Sequence, residues 1–152
     1  MEVVNLFGDE WDGGRDRPGW QWRRLSVGDR LNAERIGASL YDLGPGQKTF
    51  PYHFQHGEEE WLLVVAGRPT LRTPEGERKV ERGDLIAFPP GPDGAHQVRN
   101  DTDEPVRLLI FSSPSDYEIA EYPDSGKIGL FAPNLRRFLR ADADVDYFEG
   151  EE

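Results

Sequence analysis

The 152-residue sequence contains no cysteine, which excludes disulfide bonds, thiolate metal ligands and thiol catalysis. Basic residues are also scarce, since 18 Lys and Arg stand against 29 Asp and Glu and give a formal net charge of -11. This balance argues against nucleic-acid and anionic-membrane partners, because both kinds of surface need clustered cations. No apolar run approaches the roughly 18 residues of a membrane helix, and the first ten residues lack the pattern of a secretion signal. We therefore expect a cytoplasmic protein that binds a small-molecule ligand or substrate.

Glycine and proline, by contrast, are abundant. The 17 glycines and 12 prolines divide the chain into short apolar runs that are rich in β-branched and aromatic residues. This spacing is typical of all-β sandwiches and barrels. It predicts nine strands, at about residues 20–26, 35–43, 49–55, 60–66, 69–73, 77–80, 85–88, 96–99 and 105–111.

The pattern changes after residue 115. Leu135, Phe138 and Leu139 have helical spacing, which predicts a short amphipathic C-terminal helix over residues 133–141. Residues 142–152 carry six acids and little apolar content, so we expect an acidic, solvated tail there. The length of the chain favours a single domain over residues 1–152.

All three histidines lie in two short segments, residues 52–67 and 83–100. Imidazole is the commonest metal ligand in proteins. The first segment contains His53, His56 and, close behind them, the three consecutive acids Glu58 to Glu60, so nitrogen and carboxylate donors occur within a few residues of one another. The clustering indicates one shared site, to which His96 in the second segment also contributes.

These two segments resemble the paired motifs of the cupin superfamily. The first motif, Gly-(x)-His-x-His-(x)-Glu-(x)-Gly, is matched by Gly46, His53, Gln55, Glu60 and Gly67, with Gln55 in place of the second histidine. The second motif, Gly-(x)-Pro-x-Gly-(x)-His-(x)-Asn, is matched by Gly83, Pro89, Gly91, His96 and Asn100. A further element, Tyr122-Pro123-Asp124-Ser125, is similar to one in single-domain cupins of poorly characterised function.

The resemblance implies a double-stranded β-helix, the jelly-roll cupin barrel, with its core at about residues 35–112 and an N-terminal arm before it. It also implies a divalent transition metal (Fe, Mn, Ni or Zn) held by His53, Gln55, Glu60 and His96. Alternate strand residues face opposite sides, so positions 53 and 55 can point inward while His56 points outward. His56 could replace the lost histidine ligand only through a β-bulge.

Three functions are compatible with such a site, and the sequence identifies no catalytic residue among them. His53, Glu60 and His96 form a two-histidine, one-carboxylate set that resembles the site of non-haem Fe(II) oxygenases, which favours a metal-dependent enzyme acting on a small organic molecule. The alternatives are a non-catalytic ligand-binding or sensing cupin and a metal-independent sugar epimerase or isomerase. By analogy with cupins of this size, we also expect a homodimer in which an edge strand or the N-terminal arm packs on the partner.

Overall fold

A computed structural model describes residues 1–151. Within them the chain forms thirteen β-strands, one short helix α1 (Val27–Arg30) and two 3-10 turns (Pro92–Gly94 and Pro123–Ser125). The predicted all-β class is thereby confirmed. In this part of the chain no helix is long or apolar enough to cross a membrane.

The largest sheet has six strands, and every neighbouring pair in it is antiparallel. In spatial order the strands are β1 (Gly13–Arg15), β2 (Trp22–Ser26), β3 (Gly37–Leu43), β10 (Val106–Ser112), β5 (Glu60–Ala66) and β8 (Leu85–Phe88). Side chains of β5 alternate as expected for a half-buried strand, because Leu62 and Val64 are buried while Trp61 is exposed.

Two smaller sheets complete the fold. The first consists of β13 (Leu135–Arg140), β12 (Lys127–Ala132), β11 (Glu118–Tyr122) and β4 (Phe54–Gln55), and the second of β7 (Gly76–Lys79), β6 (Thr70–Thr73) and β9 (Gln97–Arg99). The backbone ladders form three separate sheets among the described residues, so a closed double-stranded β-helix stays a prediction.

The main core lies between the six-stranded sheet and the sheet formed by β7, β6 and β9. It consists of ten buried side chains: Tyr41, Leu43, Leu62, Val64, Leu71, Val80, Phe88, Val98, Val106 and Leu108. The opposite face of the large sheet carries a second cluster, which includes Leu40 and Leu109 and which the N-terminal arm covers with Leu6 and Trp11. The Arg107 guanidinium ties the arm down, donating to the carbonyl oxygens of Leu6 (3.0 Å) and Gly8 (2.9 Å).

The predicted C-terminal helix is wrong: residues 135–140 form strand β13, paired antiparallel with β12. Pro133 and Asn134 form a tight turn, in which Asn134 adopts a left-handed φ of 65° and Ala132 pairs with Leu135. The rings of Phe138 and Phe131 pack on one face of the hairpin, with their centroids 5.8 Å apart. Apolar residues three and four positions apart satisfied the helical pattern, but the turn chemistry and the partner strand determine the structure. Residues 142–151 are exposed, as expected for the acidic tail.

Candidate metal centre

His53 and His96 face each other across an isolated antiparallel bridge. The backbone N–H of His53 donates to the His96 carbonyl (3.2 Å), and the N–H of His96 donates to the His53 carbonyl (2.9 Å). The sequence places His53 just before β4 and His96 just after the 3-10 turn at Pro92–Gly94. This pairing brings the two ring centroids to 4.8 Å, although 43 positions of sequence separate the residues.

Each imidazole ring is held by a backbone carbonyl oxygen two residues earlier in the chain. His53 Nδ1 lies 2.9 Å from the Pro51 oxygen, and His96 Nδ1 lies 2.9 Å from the Gly94 oxygen. A carbonyl oxygen only accepts, so each Nδ1 carries the hydrogen and each Nε2 presents its lone pair. Gly94 is required at its position, since a Cβ there would lie 1.8 Å from the Pro89 carbonyl oxygen.

Glu60, the first residue of β5, completes the group. Its Oε2 lies 3.9 Å from His53 Nε2 and 3.5 Å from His96 Nε2, and the three possible ligand atoms lie within 4.8 Å of one another. Ligand atoms that each sit about 2.0–2.3 Å from one ion must be this close together. The structure therefore brings together three of the four residues that the sequence nominated, in an arrangement compatible with a shared metal.

Gln55, the fourth nominated residue, contributes a buried amide. Its Oε1 is buried and has no hydrogen-bond partner among residues 1–151. A buried acceptor without a partner costs about 1–3 kcal/mol, and a cation would satisfy it. Two imidazole nitrogens, one carboxylate and this amide oxygen are donors that Fe, Mn, Ni and Zn accept, so the residues present fit the metal that the motifs imply.

Burial determines the charge state of this group. It lowers the pKa of His96 to about 3, with His53 adding to the effect, and it also lowers the pKa of His53. Burial raises the pKa of Glu60 to about 7, the carboxylates of Glu58 and Glu118 add to the rise, and the Gln55 side chain opposes it. Both imidazoles are thus neutral at physiological pH, which is the form that binds a metal.

His56 lies outside the group, on the outward side that strand alternation predicts. Its side chain is 44% exposed, and its Nε2 lies 2.7 Å from Glu121 Oε1. The nearby carboxylate of Glu118 accepts hydrogen bonds from the backbone N–H groups of His56 and Gly57.

Aromatic rings fix the planes of the two buried imidazoles. Phe88 stacks on His96 with centroids 3.7 Å apart and an interplanar angle of 8°. Tyr122 stacks on His53 at 5.9 Å and 17°, while Phe50 meets His53 edge-on at 6.1 Å. Sequence reasoning did not assign Tyr122 to the site, although the Tyr122-Pro123-Asp124-Ser125 element marked its position.

A cavity of about 430 Å³ leads from the surface to His53. It is lined by Arg15, Phe50, Pro51, His53, Tyr122, Lys127, Arg136 and Phe138. Four of these residues belong to the β11–β13 hairpins, which the sequence analysis did not place near the site. The cavity gives a small molecule access to the edge of the metal group from the His53 side.

Comparison with known proteins supports the motif assignment. The Cupin domain family model matches residues 39–112, a range that contains all four nominated ligands. No curated protein matches the chain in sequence.

Solved structures match over most of the chain. A sugar phosphate isomerase of the cupin superfamily from Silicibacter pomeroyi is 27% identical, with a TM-score of 0.82, covering 97% of this chain and 98% of that one. A putative sugar phosphate isomerase from Acidithiobacillus ferrooxidans is 26% identical, with a TM-score of 0.80 and coverage of 88% and 87%. A cupin 2 conserved barrel domain protein from Salinispora arenicola is 26% identical, with a TM-score of 0.54 and coverage of 76% and 90%.

Two ordered motifs, a family match centred on them and relatives of the same fold agree with one another. Residues 39–112 form a Cupin domain, and the chain resembles structures of the cupin superfamily over most of its length.

Proposed function

We propose that this cupin is a metal-dependent isomerase that acts on a small hydroxy-carbonyl compound of the sugar class. The observation that carries the proposal is the buried group of His53, Glu60 and His96, together with a cavity of substrate size that His53 lines. The two structural relatives that span nearly the whole chain are named as sugar phosphate isomerases, which supports this reaction class over others.

In this proposal His53 and His96 bind the metal through Nε2, Glu60 through its carboxylate and Gln55 through Oε1. A bound metal would supply a Lewis acid that polarises a carbonyl oxygen and makes the neighbouring C–H more acidic; the proton from that carbon would pass to water, and one would return from solvent to the other carbon. The Nδ1–H bonds to the Pro51 and Gly94 carbonyls keep both imidazoles aimed at the site throughout the reaction.

Tyr122 is the group we assign to the substrate oxygen. It lines the cavity, and its ring stacks on the His53 imidazole. Burial raises the pKa of Tyr122, while Arg136 and Arg15 oppose the rise, so the hydroxyl stays protonated near neutral pH. It can therefore donate a hydrogen bond or a proton to an oxygen that becomes more negative as the reaction proceeds.

Phe50 and Phe138 form the apolar part of the cavity wall. They would exclude water from the part of a bound substrate that they contact. A drier site strengthens both the bond from Tyr122 and the attraction of the metal for the substrate oxygen.

A second candidate, an oxygenase-like enzyme, is favoured by the two-histidine, one-carboxylate donor set itself. Such an enzyme would consume O₂ in proportion to product. An isomerase would not. Oxygen uptake by the iron-loaded protein therefore separates the two candidates.

The test uses metal-loaded protein and a panel of small aldoses and ketoses, each with and without a phosphate group, incubated in D₂O. Proton NMR should show aldose–ketose conversion, with solvent deuterium entering the carbon next to the carbonyl. Chelation or His96→Ala should abolish the conversion, Tyr122→Phe should reduce kcat, and His56→Ala should leave it unchanged.

Conversion that survives both chelation and His96→Ala would contradict a metal-dependent reaction and favour a metal-independent isomerase. Oxygen uptake without conversion would favour the oxygenase-like candidate. Absence of both activities across the panel would count against catalysis on sugars.

A further inference from the structure

Three cations without acidic partners line the cavity above His53. They are Arg15 on β1, Lys127 at the start of β12 and Arg136 on β13. None of the three takes part in an ion pair within residues 1–151, whereas Arg23, Arg72, Arg99 and Arg107 all do. In a chain with net charge -11, three unpaired cations around one opening are unexpected unless a ligand supplies the negative charge.

An adjoining cavity of about 370 Å³ extends the same cationic surface. It shares two of the three cations and adds Arg17 and Lys48, which are also unpaired among the described residues. Asp124 is the one acid in its lining, and Arg72 already holds that carboxylate at 2.6 Å. The entrance to the site therefore carries a local positive field, and no side chain of its own neutralises it.

Aromatic rings support the three head groups. Each charged group lies over a ring: Arg15 over Trp22 at 5.1 Å, Lys127 over Tyr122 at 5.5 Å and Arg136 over Phe138 at 5.8 Å. Such contacts position a cation while leaving its N–H groups free for another acceptor. Cations on three different strands thus converge on one opening in a supported arrangement.

We propose that the substrate carries a phosphate monoester, which Arg15, Lys127 and Arg136 bind at the entrance while the carbonyl end reaches the metal group. This inference rests on the proposed function and names its substrate class. A phosphate dianion matches several cations better than a carboxylate does, because it offers more acceptor oxygens and guanidinium groups bind them in pairs. The cavity volume fits a small phosphorylated molecule.

The test titrates inorganic phosphate into the metal-loaded protein by calorimetry, at low salt. Arg136→Gln, Lys127→Gln and Arg15→Gln should each weaken phosphate binding by about tenfold or more, since each removes a charge-assisted contact. Arg137→Gln is the matched control, because it removes the same charge one position along β13, on the opposite face, and should change binding less than about twofold. Metal content should be the same in all four variants.

A second measurement separates this site from the metal. In His96→Ala, which should lack the ion, phosphate should still bind within about threefold of the parent protein. Phosphate binding that is lost with the metal and unaffected by Arg136→Gln would place the anion on the ion and overturn the proposal. Equal effects of Arg136→Gln and Arg137→Gln would mean that phosphate binds through nonspecific charge. This result would also overturn the proposal.

Turnover links the two proposals without confusing them. For a phosphorylated sugar and the same sugar without phosphate, Arg136→Gln should lower kcat/KM about tenfold more for the first than for the second. Intact phosphate binding without any isomerisation would reject the reaction but keep the anion site. Isomerisation that does not discriminate between the two sugars would keep the reaction but reject the anion site.

Discussion

Two kinds of histidine environment lie within three residues of each other in this chain. The side chain of His53 is 9% exposed, with Nδ1 bonded to a carbonyl and Nε2 facing Glu60, whereas that of His56 is 44% exposed and paired with Glu121. The residues share the same chemistry, and only the strand face differs. Burial makes one imidazole a neutral lone-pair donor, while exposure leaves the other beside a surface carboxylate.

The largest expected difference between the two environments appears when one histidine is removed from each. His96→Ala should weaken metal binding more than about 100-fold, because losing even a supporting partner of a ligand costs roughly 10- to 100-fold. His56→Ala should leave binding nearly intact. Elemental analysis of the two variants, dialysed side by side at neutral pH, gives the ratio of metal to protein.

Equal metal loss in both variants would show that His56 reaches the ion. Strand β4 would then have to carry a bulge that turns this side chain inward. Equal retention would place the metal elsewhere, and the group around Glu60 would be a buried polar cluster without an ion.

Acidification tests the buried environment further, and Glu60 determines how metal binding there depends on pH. Without metal, the pKa of Glu60 is raised to about 7, so the carboxyl is protonated below that pH and must release its proton when a cation binds. The pKa of His96 is lowered to about 3, and that of His53 is also lowered. Protons therefore compete with the metal for these imidazoles only at a pH below the ordinary pKa near 6.5.

Metal affinity should therefore fall about tenfold per pH unit below pH 7, or roughly 100-fold by pH 5. Calorimetry at pH 6 in buffers with different ionisation enthalpies should give close to one proton released per metal bound. Two or more protons released would mean that the histidines titrate near their ordinary value. Glu60→Gln should remove the proton release and weaken binding.

Sequence reasoning predicted the positions of the site better than its surroundings. Motif spacing nominated His53, Glu60 and His96, and the structure brings these three together because the bridge between the histidines joins the two motifs. The predicted strand over 49–55 is reduced to Phe54–Gln55, since the residues before it pair only through isolated bridges at Lys48 and His53.

The entrance to the site could not be predicted in the same way. Tyr122 and Lys127 lie on β11 and β12, where the sequence pattern predicted no strand or helix, and Arg136 lies on β13, where the apolar spacing fitted a helix. Which strand a segment pairs with depends on residues far from it in sequence, and local periodicity contains no information about that partner. The tight turn at Pro133-Asn134 was the local signal that favoured a hairpin.

Gln55 allows a smaller test of the buried environment. Gln55→His should tighten binding of Zn(II), Ni(II) or Fe(II) by about tenfold, because imidazole is a stronger donor to these ions than an amide oxygen. Chelator titration of the two proteins measures the difference. Equal or weaker retention in the variant would mean that the Gln55 side chain does not contact the metal, and that its unpartnered Oε1 has another role.

The smallest expected effect concerns the exposed histidine and the stability of the fold. His56→Ala should lower the free energy of unfolding by only about 0.5 kcal/mol, since the bond between His56 and Glu121 is short but solvent-exposed. The variant keeps the backbone N–H of His56, which donates to Glu118 at 2.8 Å, so the turn that follows is not disturbed. Urea denaturation of His56→Ala, Glu121→Gln and the double variant measures the energy of the pair. A loss above about 2 kcal/mol would show that exposure does not keep the contribution of His56 to the stability of the fold small.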